Sequence, residues 1–343
     1  MPDLSLHPVS IDLPLQFRRL RQGEAMPPGQ MLGARHMVAA TSVDALDLAL
    51  HAELLAPEGQ TLDAWFTAGA VTTHQQGSVQ YTTDGHWLHG SAQIELDRAE
   101  GGLERAAYRI YSDLFATLAQ HTSSHLLRLW NYVPGINDHG DGLEHYRHFN
   151  VGRQRAFIDA QRSAFEGSPA ACAVGTQGGP LRVFFLAGRR VPLAIENPRQ
   201  VSAYHYPSEY GPRSPTFSRA ALADAGGGRQ VLFISGTASI RGHATVHVGD
   251  VRRQTEETLL NISAVLEAAR QQARVALLPE ELTCTVYLRH RQDLATVRDV
   301  LEQQWGAHSH AVRTAVVLLA DICRADLLVE IEAHGFVTAE SGS

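Results

Sequence analysis

Two carboxylates near the end of the chain, Glu330 and Glu332, lie in Asp321-Ile-Cys-Arg-Ala-Asp-Leu-Leu-Val-Glu-Ile-Glu-Ala333, which reads as a turn running into a strand. From Leu327 the side chains alternate, with Leu327, Val329, Ile331 and Ala333 on one face and Leu328, Glu330 and Glu332 on the other. On pattern alone this is a half-solvated strand with a core face and two exposed acids. Whether the acids move protons depends on what surrounds them. Four arginines, Arg153, Arg213, Arg289 and Arg313, fall at predicted strand ends or in loops, where a guanidinium fork grips a carboxylate through two hydrogen bonds. A surface salt bridge accounts for any one of them equally well. Tyr206 and Tyr210, in a Pro-rich loop, offer hydroxyls either to a ligand or to the edge of the core.

Other chemistries find less support. Asp138-His-Gly-Asp-Gly-Leu-Glu-His-Tyr-Arg-His148 contains three His and several carboxylates, but no helix-spaced H-E-x-x-H, and reads as a polar loop entering a helix rather than a metal site. His243 and His247 stand four apart on a predicted strand and so share one face. Gly226-Gly-Gly228 is a hairpin turn without the helix that a phosphate loop needs, and no G-x-S-x-G occurs. All 29 basic residues are Arg. Without a Lys there is no Schiff base, no pyridoxal phosphate linkage and no Walker A amine.

A length of 343 residues, 44% of them hydrophobic, supports about two packed domains. The net charge of −7 and the scattered Arg leave no basic stripe for nucleic acid. No run approaches the length of a membrane span and the first residues carry no export pattern, so a cytoplasmic protein is expected. Cys172, Cys284 and Cys323 are too few and too scattered for a disulfide framework.

The elements that must position these residues repeat. An irregular Pro-rich start, with one strand expected over Ser10 to Phe17, leads into a meander of strands from Ala34 to Ile94. A helix over Leu103 to Gln120, a strand from Leu126, a helix over Asp141 to Phe165 and a strand from Arg182 follow. The second half restates this order, with a strand from Gln230, a helix over Asp250 to Gln272, a strand from Leu282, a helix over Asp293 to Trp305, and closing strands at Arg313 to Leu319 and Leu327 to Ala333. Such a duplication implies an α+β fold of two subdomains, 1–196 and 197–343, each a mixed β-sheet with two helices packed on one face.

Four blocks of the second half, in order, resemble the RidA (YjgF-like) family: Tyr210-Gly-Pro-Arg-Ser-Pro-Thr-Phe-Ser-Arg-Ala, Phe233-Ile-Ser-Gly-Thr, the helix from Gly249 to Ala269, and Leu328-Val-Glu-Ile-Glu-Ala. That family forms trimers whose clefts bind small carboxylates, often through an Arg ahead of the last strand, which Arg313 matches here. Leu129-Trp-Asn-Tyr-Val-Pro-Gly-Ile-Asn, Tyr146-Arg-His-Phe-Asn-Val-Gly-Arg, and the run from Glu196 to Pro215 resemble the chorismatases more narrowly. These are tandem RidA-like enzymes that split chorismate into pyruvate and a cyclic carboxylic acid without metal or cofactor.

The resemblance implies that Glu330 is the proton donor and that Arg153, Tyr206, Tyr210, Arg213, Thr237, Arg289 and Arg313 surround the substrate. Gly236 and Cys323 match the two positions that separate the family's branches, and the hydrolysing branch carries Ala at both. A chain with Gly and Cys belongs by resemblance with the enzymes that make 3-hydroxybenzoate, some of which also release 4-hydroxybenzoate. Chorismate hydrolysis to a dihydroxycyclohexadiene carboxylate, and a non-catalytic module that binds a small carboxylate, are the alternatives. A free Glu ionises at about pH 4.3, so Glu330 needs burial or a neighbouring negative charge to hold its proton. Neighbouring Arg would oppose both. Monomer, dimer and trimer all stay open.

Overall fold

The computed structural model describes residues 14–38, 50, 52–96 and 102–338. The first strands are β1 (Gln16–Arg21), β2 (Gln30–Met37), β3 (Glu53–Ala56), β4 (Thr61–Thr67), β5 (Thr72–Gln76), β6 (Val79–Thr83) and β7 (Trp87–Ile94). Of the strand expected over Ser10 to Phe17, residues 10–13 lie outside the described residues, and β1 begins at Gln16. Helix α1 (Gly102–Leu118) forms where Ala107, Ile110, Tyr111, Leu114 and Leu118 recur at helical spacing, and all five are buried. Then come β8 (His125–Pro134), the short pair β9 (His139–Gly140) and β10 (Leu143–Glu144), α2 (His145–Asp159), β11 (Ala170–Thr176), β12 (Leu181–Gly188) and β13 (Leu193–Ile195). Helix α2 is shorter than the run from Asp141 to Phe165. Asp141 and Gly142 take positive φ in the β9–β10 turn, and Gln161 does so just past the helix end.

The second half holds β14 (Ala220–Gly226), β15 (Arg229–Ala238), β16 (Ile240–Arg241), β17 (Ala244–Thr245), α3 (Val251–Ala273), β18 (Thr283–Leu288), α4 (Leu294–Trp305), α5 (His310–Thr314), β19 (Val316–Leu319), β20 (Asp321–Ile322) and β21 (Val329–Thr338). The three positive-φ glycines at 226–228 make the expected β14–β15 hairpin. Asp250 caps α3 by accepting from the Arg253 backbone N–H at 3.0 Å. The strand expected from Arg313 starts only at Val316, because Ser309 caps a short helix, α5, that takes up residues 310–314.

Two seven-stranded mixed sheets result, ordered β20-β11-β8-β12-β7-β6-β5 and β13-β14-β15-β21-β18-β19-β3. Helices α1 and α2 cover the outer face of the first sheet, and α3 and α4 that of the second. The inner faces meet across an apolar layer that includes Trp130, Tyr132, Cys172 and Phe184 from the first sheet and Val231, Phe233, Tyr287 and Leu318 from the second. The halves also exchange edge strands. β20 of the second half pairs with β11, and β3 of the first half pairs with β19. A small sheet, ordered β1-β4-β2, packs at the side.

This layering corrects the expectation for the last strand. β21 is central in its sheet, between β15 and β18, and the opposing sheet covers the face that carried the acids. Glu330 and Glu332 are each only 3% exposed.

Candidate active site

Glu330 projects beside an irregularity in β15. Pairing with β21 runs from Ile234 opposite Ala333 to Thr237 opposite Ile331, so β15 spends three residues where β21 spends two, and the extra stretch contains Gly236. A bulge of this kind re-aims what stands next to it. The Glu330 carboxyl lies directly over Gly236. A Cβ at position 236 would overlap Glu330 Oε1 and stand 2.7 Å from its Cδ and 3.2 Å from the Cys172 Cβ. A side chain at 236 would therefore push this carboxyl aside.

The two acids of the strand have opposite surroundings. Glu332 is locked in a buried network: Arg35 donates to its Oε1 at 3.1 Å and Arg128 to its Oε2 at 2.5 Å. Arg35 also donates to Asp63 at 3.1 Å and to the Tyr132 hydroxyl at 3.0 Å, and Asp63 takes a two-pronged contact from Arg19 at 2.6 and 2.7 Å. Burial acts to raise the Glu332 pKa, but the guanidiniums of Arg35 and Arg128 outweigh it and hold the carboxyl at about 2. Glu330 has no such cage. Burial pushes it up to about 8, and the charge of Glu332 adds to that push, while Arg128 and Arg219 oppose it without cancelling it. At neutral pH one acid is held charged and its neighbour holds its proton, the division of labour that separates acid from base in paired-carboxylate sites.

The cavity that Glu330 faces measures about 240 Å³, many times the ~10–15 Å³ needed for one water and suited to one small molecule. Its walls include Gly236, Cys323, Tyr206 and Tyr210. Arg219 donates to the Val201 carbonyl and the Tyr206 hydroxyl, both at 2.8 Å. Arg324 stacks over the Tyr210 ring at 4.0 Å and donates to the His243 carbonyl at 2.7 Å. Nε of Arg219 and Nη2 of Arg324 are buried and find no acceptor among the described residues. Such donors call for an anionic ligand. Arg147, whose Nε lies 3.4 Å from Glu144, adds a third guanidinium. Cys323 is half-buried, and burial, with Glu330 next in weight, pushes its thiol up to about 12, so it is not a thiolate.

The other arginines singled out in the sequence lie elsewhere. Arg213 and Arg313 are exposed and off the cavity wall. Arg289 is structural, pairing with Asp321 at 2.5 Å and donating to the carbonyls of Ile322, Arg324 and Leu327, and so fixes the turn that carries Cys323 and Arg324. Arg153 is buried behind the wall, with Nη2 on Asn150 Oδ1 at 3.1 Å. Thr237 follows Gly236 but turns its hydroxyl to the Ser235 carbonyl at 2.8 Å. His243 and His247 do not share a strand: β16 and β17 are two-residue pieces of a hairpin with His243 in its turn, and His247 has positive φ beyond it. Arg219 and Arg324 were within reach of sequence reasoning, since Arg219 stands in a segment that carried the resemblance and Arg324 directly follows Cys323. What hid them was that lining a cavity depends on how the two sheets meet.

Fold and site together define a duplicated RidA-like α+β protein that presents a protonated carboxyl to a cavity walled by arginines. Comparison with known proteins narrows the class. Residues 63–187 match the family described as Chorismatase FkbO/Hyg5-like, N-terminal, and residues 216–337 match Endoribonuclease L-PSP. A 3-hydroxybenzoate synthase of Streptomyces hygroscopicus is 35% identical over 82% of this chain and 84% of its own length. A chorismatase of Streptomyces rapamycinicus is 38% identical over 79% and 80%. A chorismatase crystal structure superposes with a TM-score of 0.84 at 32% identity, covering 95% of this chain and 100% of that one. The chain belongs to the chorismatase family. Among the described residues, no helix is long and apolar enough to cross a membrane.

Proposed function

We propose that the chain cleaves chorismate to 3-hydroxybenzoate and pyruvate, with Glu330 as general acid. The observation that carries this reading is the protonated Glu330 carboxyl at the wall of a cavity whose guanidiniums match a dicarboxylate. Arg219 and Arg324, with Arg147 beside them, hold the two carboxylates of the substrate, and the Tyr206 and Tyr210 rings that back the guanidiniums limit their freedom. Glu330 delivers its proton to the methylene carbon of the enolpyruvyl group. The C–O bond to the ring then breaks as the neighbouring ring hydroxyl attacks the carbon that bore it; the bonding pair stays on the side-chain oxygen and completes pyruvate. The three-membered ring closed by this attack opens at the carbon that first carried the hydroxyl, and loss of that carbon's hydrogen as a proton aromatises the ring and restores Glu330. Atoms balance without water, and a proton with the ring's own hydroxyl suffices for the step. A bound dianion favours the protonated carboxyl further, because like charge disfavours the carboxylate.

The same reading divides the chain into subdomains 1–196 and 197–343, with Glu330, Gly236 and Cys323 in the second and Tyr146 and Arg147 in the first, so that the cavity is complete only when both halves are present. The relative named for 3-hydroxybenzoate supports the aromatic branch. So does the pair Gly236 and Cys323, the combination expected of aromatic-product enzymes. Gly236→Ala obliges the Glu330 carboxyl to shift and Cys323→Ala shortens a side chain of the cavity wall, a change that admits water. Incubation with chorismate, pyruvate detection by lactate dehydrogenase and NADH, and chromatography of the ring product test the proposal. Wild type is expected to give pyruvate with 3-hydroxybenzoate, 4-hydroxybenzoate being a second aromatic product to measure, and the double variant to give more of the dihydroxycyclohexadiene. Absence of pyruvate would sink the activity; a diol without any hydroxybenzoate would sink the branch assignment alone.

The anchoring role separates the arginines. Arg324→Lys and Arg219→Lys are expected to raise KM by about tenfold with a smaller change in kcat, since an ammonium loses the fork geometry. Arg313→Lys, at a residue that does not line the cavity, is expected to leave both constants unchanged. Equal effects from all three would refute the assignment of anchors.

A further inference from the structure

Helix α2 carries a buried polar relay that the scheme above does not use. Arg153 and Asn150 are each 1% exposed. Arg153 stacks over Phe149 at 5.0 Å, donates to Asn150 Oδ1 at 3.1 Å, and also contacts the Tyr111 hydroxyl. Tyr111 in turn donates to Asn131 Oδ1 at 2.5 Å, and Asn131 Nδ2 donates to the Cys172 carbonyl at 2.7 Å, under the wall that Gly236 and Glu330 form. On its other side Asn150 hydrogen-bonds Tyr146, a cavity-lining side chain beside Cys323 and Glu330. Among the described residues Arg153 forms no ion pair, so a full guanidinium is kept in the interior by amide and phenol oxygens alone. Buried charges are costly and persist where the surroundings have a use for them.

The donor inventory fixes the direction of the relay. A guanidinium only donates, so the Asn150 oxygen faces Arg153, and with that oxygen engaged the Asn150 amide N–H is the group left for Tyr146. The Tyr146 oxygen therefore accepts from Asn150, and its own O–H is left to donate into the cavity beside Glu330 and Cys323. Burial, reinforced by Cys323, raises the phenol further above its ordinary pKa, so it stays protonated. Tyr146 is a donor and not a base.

We propose that Tyr146 is a further catalytic residue, which donates a hydrogen bond to an oxygen of the substrate's enolpyruvyl group and so turns its methylene toward Glu330, and that Arg153 is the positioning residue that sets the donor direction through Asn150. No proton leaves Tyr146 in this role. The inference rests on the chorismate-cleaving activity proposed above and adds the group that orients the side chain. It also gives Arg153 a function without contact with substrate.

The test is a double-mutant cycle on the full chain. Tyr146→Phe removes only the donor, and Arg153→Met removes the charge while keeping most of the bulk. Each is expected to lower kcat by roughly tenfold, the effect of one oriented hydrogen bond, with KM changed less. The double variant is expected to fall no further than either single, because both act through one donor. Arg153→Lys, still a donor to Asn150, is expected to recover part of the loss. Wild-type kcat in Tyr146→Phe, or losses that multiply in the double variant, would overturn the inference and leave the activity standing. A wild-type chain that releases no pyruvate would remove both together. Should Arg153→Met fail to fold, Tyr146→Phe and Asn150→Asp decide: the aspartate accepts where the amide donated, and must lower kcat if donor direction matters.

Discussion

Glu330→Gln is expected to lower kcat for chorismate cleavage by at least ~10²-fold with little change in KM. Glutamine keeps the shape of the side chain and its place above Gly236 but has no proton of the right acidity to give. The arginines that hold the substrate carboxylates are separate side chains, so binding survives. The size of the effect follows from the absence of an understudy. Glu332, two residues on and on the same face, is held ionised at about 2 by Arg35 and Arg128 and accepts hydrogen bonds from both, so it has no proton to lend at neutral pH. Turnover near the wild-type rate in Glu330→Gln would remove Glu330 from the mechanism.

Glu332→Gln is expected to have the largest effect on stability and a distinct effect on activity. It leaves Arg128 without a carboxylate and Arg35 with only Asp63, in a region where each guanidinium is at most 4% exposed. Breaking a buried pair from one side costs about 3–5 kcal/mol, and because the amide oxygen still accepts, roughly 3 kcal/mol is the figure to expect from a denaturant titration. The variant also loses the negative charge that helps hold Glu330 protonated, so the Glu330 pKa falls and the alkaline decline in activity moves to lower pH. A Glu332→Gln protein as stable as wild type, with an unmoved pH profile, would mean that the network neither supports the fold nor tunes the acid.

The alternation from Leu327 to Ala333, the duplicated order of strands and helices, and the Gly226–Gly228 hairpin were legible because each depends on local period and turn chemistry. The second burial of β21 was not. Whether the acid-bearing face meets water or another sheet is decided by the opposing subdomain, and no periodicity within the strand records it. The same limit explains the arginines. Loop position favoured Arg213 and Arg313, whereas Arg219 and Arg324 reach the cavity because the β14 edge and the turn after β20 converge there. None of the motifs that carried the resemblance in the sequence lies in the first 100 residues, yet Arg35 and Asp63 stand in the cage around Glu332. A contact across 297 positions leaves no trace in local sequence. Gly236 was marked by resemblance; its physical reason, the carboxyl that fills the space of a side chain, needs coordinates.

The most direct test of the central claim, that a protonated Glu330 drives the reaction, is the pH dependence of kcat/KM for chorismate from about pH 5 to about pH 10. The active form is the protonated one and the pKa is raised by burial and by Glu332, so activity must be retained at neutral pH and fall as pH rises through about 8. Because kcat/KM reports the free enzyme and the bound dianion favours the protonated acid further, the corresponding fall in kcat should come at higher pH. A decline centred near the ordinary carboxyl range of about pH 4–5, or a profile flat to pH 10, would contradict the account.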